Sequence, residues 1–368
     1  MNIVGGNKSS TLGLIKTFEA QLGTPVKSSF SEFRRTISYN FFEEIFNEQA
    51  SNFSPQRPTW RGFNVFAVDG DNYLLPANGD TLNAGYRGPA VKGDREGYYP
   101  RMYVSTLYDV LSGTIVDFTE STKNDELARA MHMMEKLDQE NILVLYDRLY
   151  FSKKLVTEHL VAKTHFLCRL KVGETVLTEV KKFFESGRSN QTVDIEGEVV
   201  HLVRVQNPTT GEDSFFATNM DRSKFKNKEI IELYSRRWDI ETSFRDLTET
   251  LEMDKWHTKF INGIKQEIFV TLWIFNQIKM WELEQSPRSW HRKLKREYKR
   301  PCFKSLYNWF TDYFVGIGRK LTQRAIDEFK LIIKRTMETR KRLARNYPRA
   351  SKQPAKRHSS HALVKKRN

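Results

Sequence analysis

The spacing of hydrophobic residues changes along the chain and separates helical parts from strand-forming parts. Near the N-terminus, apolar residues recur three or four positions apart, as on one face of an amphipathic helix. They are Phe30, Phe33, Ile37, Phe41 and Ile45. Residues 1–58 are therefore predicted to form a small helical N-terminal module, which ends in the linker SNFSPQRPT.

From Arg61 onward the period becomes that of strands, interrupted by helices. The predicted elements are, in order, the strands FNVFAVDG and NYLLP, a strand pair RMYVSTLYDVL and GTIVDFT, a helix over 124–137, the buried strand NILVLYD, a helix over 152–160 and the strand HFLCRLK. Asn124 or Asp125 is the expected N-cap of the first of these helices. This order predicts a mixed α/β sheet with flanking helices.

The next segment has a different character. Residues 172–216 are predicted to be a β-rich insertion, because TVDIEGEVVHLVRVQ and SFFATN are strand-like and NPTTGED between them is a turn. Helices over about 226–252 and 262–284 follow, so the core comprises residues 59–171 and 217–285. Residues 286–339 are predicted to be a helical C-terminal region, and residues 340–368 a basic, disordered tail.

Charge narrows the class of partner. The net charge is +15, and residues 340–368 contain eleven Lys or Arg and no Asp or Glu. Such a tail can bind phosphate backbones, acidic lipids or an acidic partner, and a solubilising disordered tail is an equally good interpretation. Composition alone therefore does not identify the partner.

The cysteine, histidine and hydropathy patterns indicate the cellular compartment in which the protein is expected. Cys168 and Cys302 form no CxxC motif, and the eight histidines lack zinc-finger spacing, which favours a reducing compartment without structural zinc. The N-terminus shows no signal-peptide pattern. The most apolar stretch, 268–275, falls far short of the roughly 20 residues that span a bilayer. We therefore expect a soluble, cytoplasmic protein with no membrane partner.

Two predicted strands end in a carboxylate. Asp69 closes FNVFAVDG and Asp147 closes NILVLYD. Each residue alone fits an ordinary turn, because acidic residues commonly end strands. The repetition, together with a third carboxylate on a later helix, favours a shared site.

That helix contains EIIELYSRRWDIETSFRDLTETL and carries two neighbouring stripes. The apolar stripe consists of Ile230, Leu233, Ile240, Phe244, Leu247 and Leu251. Beside it lie Tyr234, Arg237, Glu241, Arg245 and Thr248, three or four residues apart. Glu241 is either a solvated helix residue paired with its neighbouring arginines or a carboxylate aimed, with Tyr234 and Arg237, at a phosphate.

Three converging carboxylates suit metal-dependent chemistry on a phosphodiester. Two Mg²⁺ ions about 3.5–4 Å apart activate a water or hydroxyl and stabilise the leaving oxyanion, and hard cations take oxygen ligands. Without metal, such a cluster would repel itself. Arg237 would then contact a DNA phosphate or the charge that develops in the transition state.

The motifs VDGDNYLLP, LYDRLYFS and YSRRWDIETSFRDL resemble those of the DDE transposases of bacterial insertion sequences, specifically the insertion-sequence-four group (YREK-motif transposases). The third motif is the most specific, because it keeps the order Tyr, two residues, Arg, three residues, Glu at Tyr234, Arg237 and Glu241. The resemblance covers roughly residues 60–259. It implies a ribonuclease H-like catalytic core with a β-rich insertion before the last catalytic helix.

The resemblance also implies an activity and its partners. Asp69, Asp147 and Glu241 would be catalytic and would bind two Mg²⁺ per active site, with Mn²⁺ as a substitute. A DNA-binding row would comprise Tyr234, Arg237, Arg245 and Thr248. The enzyme would cut element ends and join the 3′-hydroxyl ends to target DNA. Its partner would be double-stranded DNA, both as transposon ends and as target. Two copies of the chain would form a homodimer assembled on DNA, and the protein would be associated with the bacterial nucleoid. The N-terminal module would bind DNA.

Three departures from the family pattern leave alternatives open. Thr248 stands where the family has Lys, so a phosphate-contacting charge is lost, and Arg245 or Lys255 is a candidate replacement. Asp71 stands where a small hydroxyl residue is more common and is a rival metal ligand. No Trp lies between Asp147 and Arg237, although some relatives stack a flipped base on one. A base could stack instead on Phe183, Phe184, Phe215 or Phe216, for which buried packing is the other interpretation, so a hairpin intermediate stays an open alternative.

The alternative to an active transposase is a catalytically impaired descendant that binds DNA or inhibits transposition. A third interpretation is a two-metal nuclease that does not transfer ends. The intact set of three carboxylates favours the active transposase.

Overall fold

The computed structural model describes residues 29–91, 95–97, 99–137, 140–173, 177–206, 211–285, 297–312, 323–336 and 338–341. Its helices are α1 (Ser29–Thr36), α2 (Tyr39–Phe53), α3 (Gly79–Asn83), α4 (Glu126–Glu135), α5 (Lys153–Ala162), α6 (Thr178–Ser186), α7 (Asn227–Tyr234), α8 (Trp238–Arg245), α9 (Ile261–Gln285), α10 (Phe303–Phe310) and α11 (Gln323–Thr336). Its strands are β1 (Asn64–Leu74), β2 (Ala90–Val91), β3 (Arg95–Glu96), β4 (Arg101–Asp109), β5 (Thr114–Ser121), β6 (Ile142–Tyr146), β7 (His165–Arg169), β8 (Asn190–Ile195), β9 (Glu198–Gln206), β10 (Asp213–Thr218), β11 (Glu297–Arg300) and β12 (Glu338–Lys341).

An eight-stranded mixed sheet forms the centre, in the order β5-β4-β1-β6-β7-β10-β9-β8. The strand β1 is antiparallel to β4 and parallel to β6, and β6 is parallel to β7. The first five strands in this order belong to the core that the sequence predicts as ribonuclease H-like. The α/β class, with a mixed sheet and flanking helices, is confirmed.

Helices cover both faces of the sheet because the side chains of a strand alternate between its faces. In β1, Val65 and Ala67 belong to a hydrophobic cluster that also contains residues of α7, α8 and α9. Phe66 and Val68 belong to a second cluster with residues of α4, α5 and α6. All five residues of β6 are buried, as its continuous apolar run predicts.

The strand β1 is longer than the sequence pattern suggests. FNVFAVDG and NYLLP are predicted as two strands, whereas the structure has a single strand, Asn64–Leu74. The polar stretch in its middle does not interrupt it, because pairing with β4 continues from Asp69 opposite Thr106 to Leu74 opposite Arg101. Two adjacent predicted strands are thus one, and Asp69 lies inside it.

The insertion adds strands to the same sheet. The strand β10 pairs antiparallel with β7, and β9 and β8 follow outward. TVDIEGEVVHLVRVQ folds into two strands because Glu196 and Gly197 adopt positive φ angles of 54° and 84° in a turn. The helix α6, which the sequence pattern did not predict, precedes β8. The strands of this segment are confirmed, and they extend the core sheet.

The predicted N-terminal helix is two helices. Ser38 accepts a hydrogen bond from the backbone N–H of Asn40 and caps α2, so the helical phase restarts there. As a result, the predicted apolar stripe does not become the buried face: Phe33, Phe41 and Ile45 are exposed. The buried residues of α2 are Phe46, Ala50 and Phe53. Residues 1–28 of the predicted module lie outside the described residues.

The C-terminal region contains the predicted helices α10 and α11, and it also contains strands. The strand β11 pairs antiparallel with β12, so residues 338–341 are in a strand, which the pattern did not predict. Residues 342–368 of the predicted tail lie outside the described residues. Within the part of the chain that the structure describes, no helix has the length and hydropathy to cross a bilayer.

Candidate active site

The pairing of β1 and β6 brings two of the predicted carboxylates to neighbouring positions. These strands are parallel, and Ala67 is paired with Leu145. Asp69 and Asp147 each lie two residues farther along, at the same edge of the pairing. Asp69 remains inside β1, and Asp147 is the first residue after β6.

The third carboxylate comes from a nearly continuous helical segment that packs on this part of the sheet. All six residues of its apolar stripe are buried, as the 3.6-residue period predicts. The α-helices α7 and α8 are joined by a tighter 3₁₀ turn, Ser235–Arg237. This segment directs Arg237 inward, where it is 4% exposed, and leaves Glu241 at the surface of the site.

Arg237 is the shared partner of the three carboxylates, which we call the carboxylate triad (Asp69, Asp147 and Glu241). Its Nη2 lies 2.9 Å from Oε1 of Glu241 and 4.0 Å from Oδ1 of Asp147. Its Nη1 lies 3.5 Å from Oδ2 of Asp69. One buried guanidinium therefore balances three partly exposed carboxylates, and the sequence-predicted residues do meet in space.

Electrostatics make the Asp69 position unusual. Burial raises the pKa of Asp69 to about 7, and the charges of Glu241 and Glu126 add to that rise. The charge of Arg237 and the hydrogen bond from the backbone N–H of Gly70 oppose it. Carboxyl groups with a strongly raised pKa in a charged cluster are common at functional sites.

The surroundings of Arg237 keep its guanidinium protonated. Burial lowers its pKa, but the electrostatic effects of Tyr234 and of the carboxylate triad outweigh burial, so the net pKa is raised. The guanidinium also lies 5.4 Å from the ring centroid of Trp238. Within the described residues, its buried Nε has no hydrogen-bond partner.

The donor set of the triad fits a hard divalent cation, because carboxylate oxygens are the ligands that Mg²⁺ and Mn²⁺ prefer. Each carboxylate is at least partly exposed, and the raised pKa of Asp69 is due mainly to its burial, which Arg237 only partly offsets. Among the described residues, no three Asp, Glu, His or Cys side chains are close enough to enclose a metal as they stand. The guanidinium of Arg237 lies between the carboxylates instead.

The remaining members of the predicted DNA-binding row point in different directions. Tyr234 is buried, and its hydroxyl donates to the backbone carbonyl of Tyr146, 3.1 Å away. Thr248 donates its hydroxyl to the carbonyl of Phe244 within a π-helical segment, Asp246–Thr250. Arg245 is exposed. Tyr234 thus supports the strand end that carries Asp147, and contact of these residues with DNA stays a prediction.

Asp71, the rival ligand, lies in a separate environment. Its carboxylate accepts a hydrogen bond from the backbone N–H of Asn72. Burial raises its pKa, the Asn72 N–H lowers it, and Asp254 raises it further. Within the described residues, it has no ion pair with Arg237, which binds Asp69 two residues earlier in the same strand.

One carboxylate near the site was not singled out from the sequence. Glu126, the first residue of α4, lies against Gly70 and is close enough to Asp69 to affect its pKa. Acidic residues are common in the first turn of a helix, because their charge interacts favourably with the helix dipole. A Glu at this position therefore gave no indication of a functional role. Only the packing of α4 on β1 reveals its position.

Comparison with known proteins gives a consistent family. The family described as "Transposase DDE domain" matches residues 60–277. The transposase InsG for insertion sequence element IS4 of Escherichia coli is 22% identical over 273 residues, which are 68% of this chain and 60% of that protein. The putative transposase InsZ of the same organism is 22% identical over 148 residues, which are 39% of this chain and 49% of that protein. The matched regions thus span about half to three fifths of these relatives.

Among solved structures, the cryo-EM structure of the piggyBac transposase synaptic complex with hairpin DNA is similar over 73% of this chain and 57% of that chain. The sequence identity is 11% and the TM-score is 0.44.

Proposed function

The chain belongs to the transposase DDE domain family, and on that premise we propose that it is a DNA transposase. It cuts the ends of a DNA element and joins the freed 3′-hydroxyl ends to target DNA by metal-dependent phosphoryl transfer. The observation that carries this proposal is the meeting of the carboxylate triad, from two adjacent strands and one helix, around Arg237.

The carboxylate triad holds the metal in this proposal. Divalent cations, two Mg²⁺ per site with Mn²⁺ as a substitute, supply activation of the attacking water or hydroxyl and stabilisation of the leaving oxyanion. Asp69, Asp147 and Glu241 supply the oxygen ligands. The proximity of the three groups is costly without a cation and becomes favourable with one.

Arg237 has two tasks in the proposed cycle. In the metal-free protein its guanidinium balances the carboxylates, which keeps them close together. With DNA bound, the same planar donor group suits a phosphate oxygen next to the scissile bond. Tyr234 keeps the end of β6 in place through Tyr146, and Arg245 and Thr248 are proposed to lie along the DNA backbone.

Double-stranded DNA is the proposed partner, both as element end and as target. The strongly basic chain favours nonspecific phosphate contacts, which are salt-dependent. We further propose a homodimer that assembles on two DNA ends, associated with the bacterial nucleoid. Cutting both ends at the same time takes two active sites, and the described residues of one chain form one triad.

A catalytically impaired DNA-binding descendant is the second candidate. Its support is Thr248, which lacks the charge of the family's Lys. The hydroxyl of Thr248 donates a hydrogen bond to the backbone carbonyl of Phe244. That descendant would bind the same DNA without cutting it.

The test uses the full chain, a duplex that carries the terminal inverted repeats flanking its gene, a supercoiled target plasmid and Mg²⁺. An active transposase releases the ends and joins their 3′-hydroxyls to the plasmid. Cut ends without joined products would support a nuclease. Retarded DNA without cut ends, from both the wild type and Asp147→Asn, would support the impaired binder and contradict the proposal.

A further inference from the structure

The side chain of Glu126 occupies the space next to β1 that a side chain at position 70 would otherwise fill. A Cβ atom at position 70 would lie 2.7 Å from Cδ of Glu126 and closer still to Oε1, so any side chain at this position would require the Glu126 carboxylate to move. The carboxylate of Glu126 therefore lies against the backbone of β1, one residue after Asp69. Its negative charge contributes to the raised pKa of Asp69.

The carboxylate of Glu126 is not satisfied by ordinary structural contacts. Among the described residues, it has no hydrogen-bond or ion-pair partner. An i, i+3 pair with Arg129 would be the expected structural role, but Arg129 directs its donors elsewhere. Its Nε donates to Oγ of Ser105 and its Nη1 to the carbonyl of Lys123. Arg129 thus anchors α4 to β4 and forms no hydrogen bond with Glu126, while the charge of Glu126 opposes the lowering of the pKa of Arg129 by burial.

Tyr150 provides a second, independent observation at the same place. Its side chain is 3% exposed, and among the described atoms its hydroxyl has no hydrogen-bond partner. Burial raises its pKa far above the usual value, and the charges of Glu126 and then Asp69 raise it further, so the hydroxyl lies near both carboxylates. A buried hydroxyl without a hydrogen-bond partner is costly, and a catalytic role is one recognised reason for such a group.

Tyr150 is also tied to the second catalytic strand end. Its backbone N–H donates to the carbonyl of Asp147, 3.1 Å away. The carboxylate of Glu126 and the side chain of Tyr150 thus come from the first turn of α4 and from the turn after Asp147, next to β1.

We propose that Glu126 is a fourth acidic residue of the active site, which supplies an oxygen ligand to the divalent cation bound beside Asp69. Tyr150 is a positioning residue for this ligand, since its hydroxyl is buried without a partner among the described atoms and the charge of Glu126 acts on it. The inference rests on the proposed function, because it assumes that the carboxylate triad binds a divalent cation. It adds a residue that the triad and its helix do not include.

The experiment measures binding of Mn²⁺ to the full chain, with the free ion followed by electron paramagnetic resonance. Glu126→Gln keeps the size of the side chain and removes its charge. Glu135→Gln makes the same change at the exposed C-terminal end of the same helix, where Glu135 contacts only His132 among the described residues, and serves as the matched control. We expect Glu126→Gln to bind Mn²⁺ at least about tenfold more weakly, the low end of what loss of groups supporting a metal site costs, and Glu135→Gln to match the wild type.

Gly70→Ala provides a second route to the same site, because its Cβ would displace the Glu126 carboxylate while leaving that residue in the chain. We expect Gly70→Ala to weaken Mn²⁺ binding as Glu126→Gln does, and the double variant to be no weaker than Glu126→Gln alone. If Glu126→Gln does not fold, the Mn²⁺ affinity of Gly70→Ala tests whether Glu126 is a ligand. A purely structural role for Glu126 would lower the thermal midpoint and leave Mn²⁺ affinity unchanged.

Asp147→Asn separates failure of this inference from failure of the proposed function. If Asp147→Asn loses Mn²⁺ affinity while Glu126→Gln and Gly70→Ala bind like Glu135→Gln, the role of Glu126 is refuted and the triad stands. If Asp147→Asn also binds Mn²⁺ like the wild type, the metal site of the proposed function is refuted, and the inference with it.

Discussion

At the scale of single residues, Asp69 and Arg237 show how an acidic site is kept together in the absence of metal. Arg237 is nearly fully buried and pairs with every member of the carboxylate triad. Even so, burial raises the pKa of Asp69 to about 7. Burial therefore makes ionisation of Asp69 costly, although Arg237 offsets part of that cost.

That cost predicts a pH dependence of stability. The native pKa of Asp69 lies above the value of 3.8 for an unperturbed Asp, so the native state binds the proton more tightly than the unfolded state does. The contribution of Asp69 to stability is thus greatest at low pH and is lost as pH rises from about 4 to about 7. With EDTA present, we expect Asp69→Asn to be more stable than the wild type at pH 8, by up to about 4 kcal/mol at about 1.4 kcal/mol per pKa unit.

Urea denaturation at pH 5 and pH 8 checks this expectation. The difference in unfolding free energy between Asp69→Asn and the wild type should grow in favour of the variant at the higher pH. An equal difference at both pH values would show that Asp69 titrates normally.

The residue scale also shows what the sequence could and could not supply. The meeting of Asp69 and Asp147 was predictable, because each ends an apolar run and parallel strands present such ends at one edge of a sheet. The role of Tyr234 was not, because its hydroxyl turns toward Tyr146 only once the helix has packed on β6. Glu126 was equally hidden, since its position depends on the missing side chain of Gly70.

At the scale of elements, the helical segment that carries Glu241 changes its pitch twice. It tightens to a 3₁₀ turn at Ser235–Arg237 and widens to a π-helix at Asp246–Thr250. A periodic sequence pattern assumes a constant pitch, so it predicts one continuous helix here. π-helical turns occur often at functional sites, and this one holds Thr248, the residue that departs from the family motif.

Thr248→Lys tests whether this turn faces DNA. If the proposed contact surface is correct, the new charge should add one phosphate contact and steepen the slope of log affinity against log salt by about 0.9. Fluorescence anisotropy with a labelled end duplex over a range of salt concentrations measures this slope. Thr250→Lys makes the same change two residues away and is the control.

Equal slopes for Thr248→Lys and Thr250→Lys would show that Thr248 does not lie on the DNA-binding surface. A steeper slope for Thr248→Lys alone would support it.

The N-terminal helices are attached to the catalytic core through a buried ion pair. Nη2 of Arg34 in α1 lies 2.9 Å from Oε1 of Glu267 in α9, and both side chains are at most 10% exposed. The other oxygen of Glu267 accepts a hydrogen bond from the backbone N–H of His257, 3.0 Å away. The period of the apolar residues did not predict this attachment, because the contacts between α1 and α9 at this point are polar.

Glu267→Gln should therefore destabilise the whole protein. Breaking a buried pair leaves Arg34 without its counter-charge, which costs about 3–5 kcal/mol of unfolding free energy. Glu328→Gln removes one partner of the exposed pair with Arg324 and should cost less than about 1 kcal/mol. Urea denaturation at neutral pH compares the two, and equal small losses would mean that α1 is not held by this pair.

At the scale of the whole molecule, one continuous sheet connects the catalytic strands with the strands of the insertion. The order of β6, β7 and β10 places the insertion on the far side of β7 from the triad. The α/β class and most strands follow from the sequence pattern, since buried strands have continuous apolar runs. The continuity of the sheet does not, because strand pairing between distant segments leaves no periodic signal in either one.

The family match covers residues 60–277, from the residues just before β1 into α9. It therefore includes all three members of the carboxylate triad. The segments outside it, which contain α1, α2, α10 and α11, pack on the core and are where end recognition and assembly on DNA are proposed to lie.

Phosphoryl transfer on DNA by the carboxylate triad is tested most directly by the Mg²⁺-dependent rate at which the full chain cuts a duplex bearing its terminal repeats. Asp147→Asn is compared with Asp194→Asn, the same change on the edge strand β8, four strands away from β6. We expect Asp147→Asn to cut at least about a thousandfold more slowly, which is about 4 kcal/mol of barrier, while still binding DNA, and Asp194→Asn to cut like the wild type. Equal cleavage by wild type and Asp147→Asn would contradict this expectation.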